Sequence, residues 1–265
     1  MSKLRIRPRP GNGRIVHVTP KSAGWSYVGF ELHRLKAGDK VAANTKDQEA
    51  CLVFVTGKGS ASAGGKDLGT LGERMSPFEG APWSVYVPQE TNWSVTAETD
   101  LELAVCTAPG LEGGLPVRVI GPDQAKQEVR GQGTNTRYVT NILPETEPAD
   151  SLLVVEVITP GGHTSSYPPH KHDRDALPKE SYLEETYYHR LNPPQGFAFQ
   201  RVYTDDRTLD EAMAIEDGDV VLVPRGYHPC AACHGYDLYY LNVMAGPSRT
   251  WKFYNAPEHE WLLSK

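Results

Sequence analysis

Two histidines one residue apart, His170 and His172, stand in the run Ser165-Ser166-Tyr167-Pro168-Pro169-His170-Lys171-His172-Asp173. On a β-strand such a pair points to one face, because side chains alternate with period two. Carboxylates follow in Leu183-Glu184-Glu185-Thr186-Tyr187-Tyr188, and a third histidine, His228, follows the turn Pro224-Arg225-Gly226-Tyr227. Three imidazole nitrogens and one carboxylate oxygen suit a single divalent ion. Zn²⁺ and Mn²⁺ come first, and Fe²⁺, Ni²⁺ and Co²⁺ are also compatible. An isolated His-x-His is more often two solvated imidazoles. Three such elements in order, each on a strand or strand turn, point instead to a metal held by His170, His172, Glu185 and His228.

Strand parity lets only one of Glu184 and Glu185 face the metal. Glu185 is preferred on its spacing to Tyr188, which leaves Glu184 outward as a surface carboxylate; Glu184 stays the competitor. With Glu185 inward, Tyr187 and His189 face the same pocket and become candidates for proton transfer. Barrel lining is the plain role for Tyr187, and a partly exposed strand end for His189. Lys171 has the opposite parity to its neighbours and is expected in solvent. Arg130 and Arg137 could grip a substrate carboxylate as two-pronged donors. Asp237, Tyr240 and Asn242 lie on a strand expected beside His228, where packed polar roles suffice.

The elements that must position these residues are short strands. The chain has 265 residues, enough for a sizeable core in one large domain or two small ones. Its 25 glycines and 21 prolines, with recurring Val and Thr, favour many strands joined by turns. A net charge of -6 argues against a nucleic-acid partner. The basic residues Lys3, Arg5, Arg7, Arg9 and Arg14 read as a solvated terminal tail. They precede no apolar core of a signal peptide, and no apolar run reaches the roughly 18 to 20 residues of a membrane span. A cytoplasmic protein is expected, with neither membrane nor nucleic acid as partner and a homo-oligomeric state left open. The four cysteines do not suggest a disulfide framework. Cys230-Ala-Ala-Cys233-His234 matches a haem-attachment pattern, but within a β segment and without an export signal a redox pair or chance match is the better reading.

The two halves echo each other. Val85-Tyr86-Val87-Pro88 parallels Val221-Leu222-Val223-Pro224, and the strand Cys51 to Thr56 ends in Gly57. First-half strands are expected at Trp25 to Leu32, Ala50 to Thr56, Trp83 to Val87, Trp93 to Thr96 and Leu101 to Cys106. A Gly- and Pro-rich linker runs from Ala108 through Pro122. The second half reads as strands at Leu152 to Thr159, Tyr167 to His172, Glu185 to Arg190, Phe197 to Tyr203, Asp219 to Val223 and Leu238 to Met244, with a turn or one helical turn from Asp206. Residues 1–110 are expected to form an N-terminal barrel. Residues 123–265 are expected to form a C-terminal barrel holding the metal. The first half has no His-x-His and no histidine between Gln89 and Trp93, so it should be metal-free.

The ligand order, the Ser165-to-Asp173 string, Arg130-Gly131, Leu71-Gly72-Glu73-Arg74 and Tyr239 to Gly246 together resemble the 5-deoxy-glucuronate isomerases of myo-inositol catabolism. These are all-β bicupins, with two cupin-type barrels in one chain, similar to the 4-deoxy-threo-hexosulose-uronate ketol-isomerases of pectin breakdown. Two local departures stand out. A single residue, Tyr227, separates Gly226 from His228 where cupins commonly have two, and Gly162-His163-Thr164 lacks an aromatic beside Ser165. The resemblance implies a metal-dependent aldose–ketose isomerase acting on a small sugar acid. It would convert 5-deoxy-D-glucuronate to 5-dehydro-2-deoxy-D-gluconate by enediol proton transfer. A cupin dioxygenase using Fe²⁺ and O₂ is the rival enzyme class, and a non-catalytic sugar-acid-binding cupin the rival outside enzymology.

Overall fold

The computed structural model describes residues 2–111 and 114–264. Strands dominate it. The helical elements among the described residues are short: Pro20–Ala23, Gly133–Asn135 and Pro257–Ser264. None is long and apolar enough to cross a membrane.

The chain divides into two compact units. One comprises Pro8–Lys126 and Thr140–Val155. Its larger sheet runs in the order Arg118–Ile120, Trp83–Val87, Gln48–Thr56, Leu101–Pro109, Gly29–Leu35 and Gly13–Val18. A smaller sheet runs Lys40–Asn44, Asn92–Ala97, Gly59–Ala63 and Lys66–Leu71. Alternate residues of the first, such as Leu52, Phe54, Val85 and Leu103, form one core with Ala61, Trp93, Val95 and Ala97 of the second. This is what period-two patterning on two facing sheets requires. On the other face of Gln48–Thr56, Glu49 is fully buried. Its carboxylate accepts the backbone N–H groups of Asp150, Ser151 and Leu152 at 2.7, 2.6 and 2.5 Å and the Tyr86 hydroxyl at 2.6 Å.

The other unit contains the chain through Arg7, Gln127–Val139 and Glu156 onward. Its main sheet runs Arg5–Ile6, Val220–Val223, Glu184–Asn192, Asp237–Ala245, Leu153–Thr159, Arg137–Leu143 and Lys126–Arg130. A four-stranded sheet runs Thr164–Ser165, Cys230–Ala232, Ala198–Tyr203 and Asp210–Ile215. Two small ladders complete it: His170–Lys171 with Tyr254–Asn255, and Asp173–Ala176 with Glu180–Tyr182.

Several elements differ from the sequence reading. The basic N-terminus is not a solvated tail: Arg5–Ile6 pairs with Val220–Val221, Arg5 donates to the Ala214 carbonyl, and Arg7 meets Glu216 at 3.0 Å. A two-residue strand carries no periodicity, so composition alone could not reveal it. The expected linker contains a strand, Arg118–Ile120, which pairs with Ser84 to Tyr86; Glu112 and Gly113 of that linker lie outside the described residues. Each compact unit draws on more than one stretch of the chain. The expected turn from Asp206 is followed by a strand, Asp210–Ile215, paired with Ala198–Tyr203.

Candidate metal centre

The site grows from the ladder of Glu184–Asn192 between Val220–Val223 and Asp237–Ala245. Register sets Glu185 opposite Val223 and Met244, and Tyr187 opposite Val221 and Asn242. Alternation turns Glu185, Tyr187 and His189 to one face, where the Tyr187 ring lies 5.8 Å from both His189 and His228. The histidines come from elsewhere. His170 is held in its ladder by Asn255. His228 follows Gly226, whose φ of +89° and whose approach to the Tyr203 carbonyl exclude a side chain: an added Cβ would lie 2.4 Å from that oxygen.

One ligand atom from each of His170, His172 and His228 lies within 4.8 Å of the others. The tautomers follow from the outer partners. His172 Nδ1 donates to the Leu183 carbonyl at 2.9 Å, and His228 Nδ1 donates to the Gly226 carbonyl at 2.9 Å. Each leaves Nε2 with a lone pair turned inward. Glu185 Oε2 sits 3.1 Å from His172 Nε2 and 3.2 Å from His228 Nε2. Its other oxygen accepts from Asn242 Nδ2 at 2.6 Å. Two imidazole lone pairs and a carboxylate oxygen in one buried space call for a proton or a metal cation between them. His228 Nε2 is buried with no hydrogen-bond partner. A divalent ion fits this donor set.

Electrostatics favours neutral imidazole ligands at two of the three positions. Burial lowers His170 well below the usual histidine range, helped by His228, His172 and the Arg137 charge. Burial likewise brings His228 down to about 4. At His172 burial acts in the same direction, but the hydrogen bond and charge of Glu185 outweigh it and raise the value.

Around the cluster lie hydroxyls and phenols. Ser165 Oγ and Tyr240 Oη are 2.6 Å apart, and Ser166 Oγ and Tyr187 Oη are 3.0 Å apart. Ser166 adopts φ +52°, a left-handed conformation uncommon outside glycine that lets consecutive serines reach two different tyrosines. Burial raises both phenols above their usual range, so both stay protonated as donors. His189 is fully buried rather than a partly exposed strand end. Its Nε2 donates to Gln200 Oε1 at 2.9 Å, its Nδ1 has no partner, and burial lowers it to about 4.

The arginines differ in their engagement. Arg130 donates twice to Glu128 and lies 5.1 Å above the Trp251 ring. Arg137 donates through Nη1 to the Asn135 carbonyl at 3.1 Å. Its charge acts on His170 and on Tyr240. Burial lowers its pKa, with a further lowering from Arg130.

Two expectations need correction. Lys171 is not solvated: its side chain is 2% exposed and ion-paired with Asp173 and Asp205. Glu184 is not a surface carboxylate, being 1% exposed on the strand face opposite Glu185. Both errors treat the outer face of a strand as solvent, whereas other segments cover it. The sequence reading also missed Asn242 as the orienting partner of Glu185, the two serine–tyrosine pairs, and Gln200. Tyr240 and Asn242 were expected on a strand beside His228, but their partners arise only from the tertiary register. All four cysteines are free thiols.

Comparison with known proteins gives the family and the fold. The KduI/IolB family model matches residues 4–262. A protein of Geobacillus kaustophilus named 5-deoxy-glucuronate isomerase is 57% identical over 266 residues, covering 99% of this chain and 96% of its own. The crystal structure of an IolB-like protein from Salmonella typhimurium superimposes with a TM-score of 0.97 at 55% identity, covering 99% of this chain and all of its own. Oxalate decarboxylase from Bacillus subtilis, a protein described with Mn(II) centres, shares the fold alone. Its TM-score is 0.64 at 13% identity, over 96% of this chain and 80% of that one. The chain thus has the bicupin fold and belongs to the KduI/IolB family.

Proposed function

We propose that this protein is a metal-dependent aldose–ketose isomerase that converts 5-deoxy-D-glucuronate to 5-dehydro-2-deoxy-D-gluconate. The observation that carries the reading is the convergence of three histidines, with Glu185 against His172 and His228, beside protonated phenols, in a chain 57% identical to a named 5-deoxy-glucuronate isomerase. His170, His172, Glu185 and His228 would hold one divalent ion, with Zn²⁺ or Mn²⁺ the preferred identity. When bound, such an ion supplies Lewis-acid polarisation of the substrate carbonyl and counter-charge for the enediolate.

The remaining work falls to the chain's own side chains. A proton leaves C2 and another arrives at C1, while the O2 hydroxyl proton is lost and O1 gains one, so the aldehyde becomes an alcohol and C2 a ketone with no external oxidant. Tyr187 and Tyr240, kept protonated by burial, can donate to the oxygens that gain charge. His189 is neutral at ordinary pH and stacked on Tyr187, which leaves it the second candidate for proton transfer after that phenol. Arg137 is the preferred partner for the substrate carboxylate. Arg130 is the second, since Glu128 already occupies part of its fork.

The reading is tested by turnover in D₂O under nitrogen, followed by NMR. Solvent deuterium should enter the new C1 hydroxymethyl group, wholly or in part, at a rate that does not depend on O₂. Turnover that stops without O₂ would instead support the dioxygenase class.

A further inference from the structure

Tyr254–Asn255 pairs antiparallel with His170–Lys171, which carries the preceding residues across the metal-ligand strand. The Phe253 ring lies 4.6 Å from the His170 ring, and Trp251 lies 6.3 Å from Phe253. Phe253 is 40% exposed. His170 is the one of the three histidines that is not fully buried, so the cluster meets solvent beside this ring. Arg130 stacks on Trp251 at 5.1 Å, and its charge acts on Arg137. An aromatic pair therefore lies between His170 and Arg130, while the charge of Arg137 acts on His170 directly.

A uronate bound across this space would place its carbons in the same order. C1 and C2 sit at the cluster, C6 as carboxylate at the arginines, and C5 beside C6. We infer that Phe253, backed by Trp251, is the wall against which C5 packs, and that it selects 5-deoxy over 5-hydroxy uronates. The inference rests on the isomerase reading above. Its physical basis is that a phenyl ring offers a hydroxyl no acceptor or donor of normal strength. A C5 hydroxyl pressed against it loses water without compensation. Apolar walls of this kind reject an added hydroxyl by up to about 100-fold, and a methylene there gains apolar burial.

The test compares kcat/KM for 5-deoxy-D-glucuronate and D-glucuronate with the full-length, metal-reconstituted protein. The two sugars differ in their content of free aldehyde, but that content is the same for every variant. A change in the ratio between variants therefore reports the pocket. Phe253→Asn should lower the ratio by about tenfold or more, whereas Phe253→Leu should lower both rates and keep the ratio. Calorimetry with 2-deoxy-gluconate and gluconate provides a readout independent of turnover. These acids cannot isomerise and differ only at the carbon next to the carboxylate. The wild type should prefer the deoxy acid, and Phe253→Asn should erase the preference. Phe253→Tyr, which keeps the ring, carries the same expectation in weaker form should the Asn variant not fold. Ratios unchanged within twofold in the polar variants would overturn the wall. No turnover of 5-deoxy-D-glucuronate by the wild type would instead overturn the isomerase reading itself.

Discussion

Lys171 Nζ lies 2.5 Å from Asp205 Oδ2, with the lysine side chain 2% exposed although it sits between two candidate metal ligands. The same ammonium is 3.3 Å from Asp173 Oδ1 and 5.4 Å above the Tyr227 ring. Asp173 uses its other oxygen to accept the Gly226 N–H at 2.9 Å, and Asp205 uses its other oxygen to accept the Tyr227 hydroxyl at 2.8 Å. One buried charge thus ties the His170–His172 segment to the turn that carries His228.

Lys171→Met should therefore weaken metal binding by about 10- to 100-fold, the usual cost of removing a residue that orients ligands. Competition with a chromophoric chelator measures it. The Co²⁺ absorption spectrum should shift as well, because the position of His228 relaxes. Unchanged affinity and spectrum in a folded variant would mean that the pair serves packing alone.

Glu185→Gln should lose metal by more than about 100-fold, since a neutral amide cannot balance the ion's charge and cannot keep both contacts to His172 and His228. Glu184→Gln, on the opposite face, should retain it. Metal content of the two purified variants decides between them, and the reverse result would assign the ligand to Glu184.

Arg137→Met should lower kcat/KM for the uronate by about 10- to 100-fold through loss of a charge-assisted bond to the carboxylate. Arg130→Met should cost less, because Glu128 already holds that guanidinium. Steady-state kinetics on both variants checks the order.

Glu49→Gln should lower stability by about 2 to 3 kcal/mol, because the amide presents N–H groups to backbone donors that now find no acceptor. The urea midpoint should fall accordingly, and a change below 0.5 kcal/mol, about the scatter of neutral surface substitutions, would show that the buried carboxylate is not a staple.

The strands with strong alternation or long apolar runs were legible in the sequence. Trp83–Val87 has the expected bounds, and Gln48–Thr56, Leu101–Pro109, Glu184–Asn192 and Asp237–Ala245 extend the expected ones by a few residues. Arg5–Ile6 and Arg118–Ile120 were not, because two or three residues carry no period and are defined only by the partner they join. The inward set His170, His172, Glu185 and His228 follows from spacing and parity. The groups that orient it do not. Asn242 meets Glu185, and Gln200 meets His189, only once distant strands are in register. Lys171 was misread for a related reason: parity told which way it points, but not that Asp205 and Tyr227 wait there.

Metal dependence is read from the rate of 5-deoxy-D-glucuronate isomerisation by a single preparation, before chelation, after it, and after one divalent ion per chain is returned. Chelation should remove both the bound ion and turnover. Restoring one ion per chain should recover the rate in the wild type and fail to do so in His228→Ala. A metal-free protein that isomerises at the full rate would contradict it.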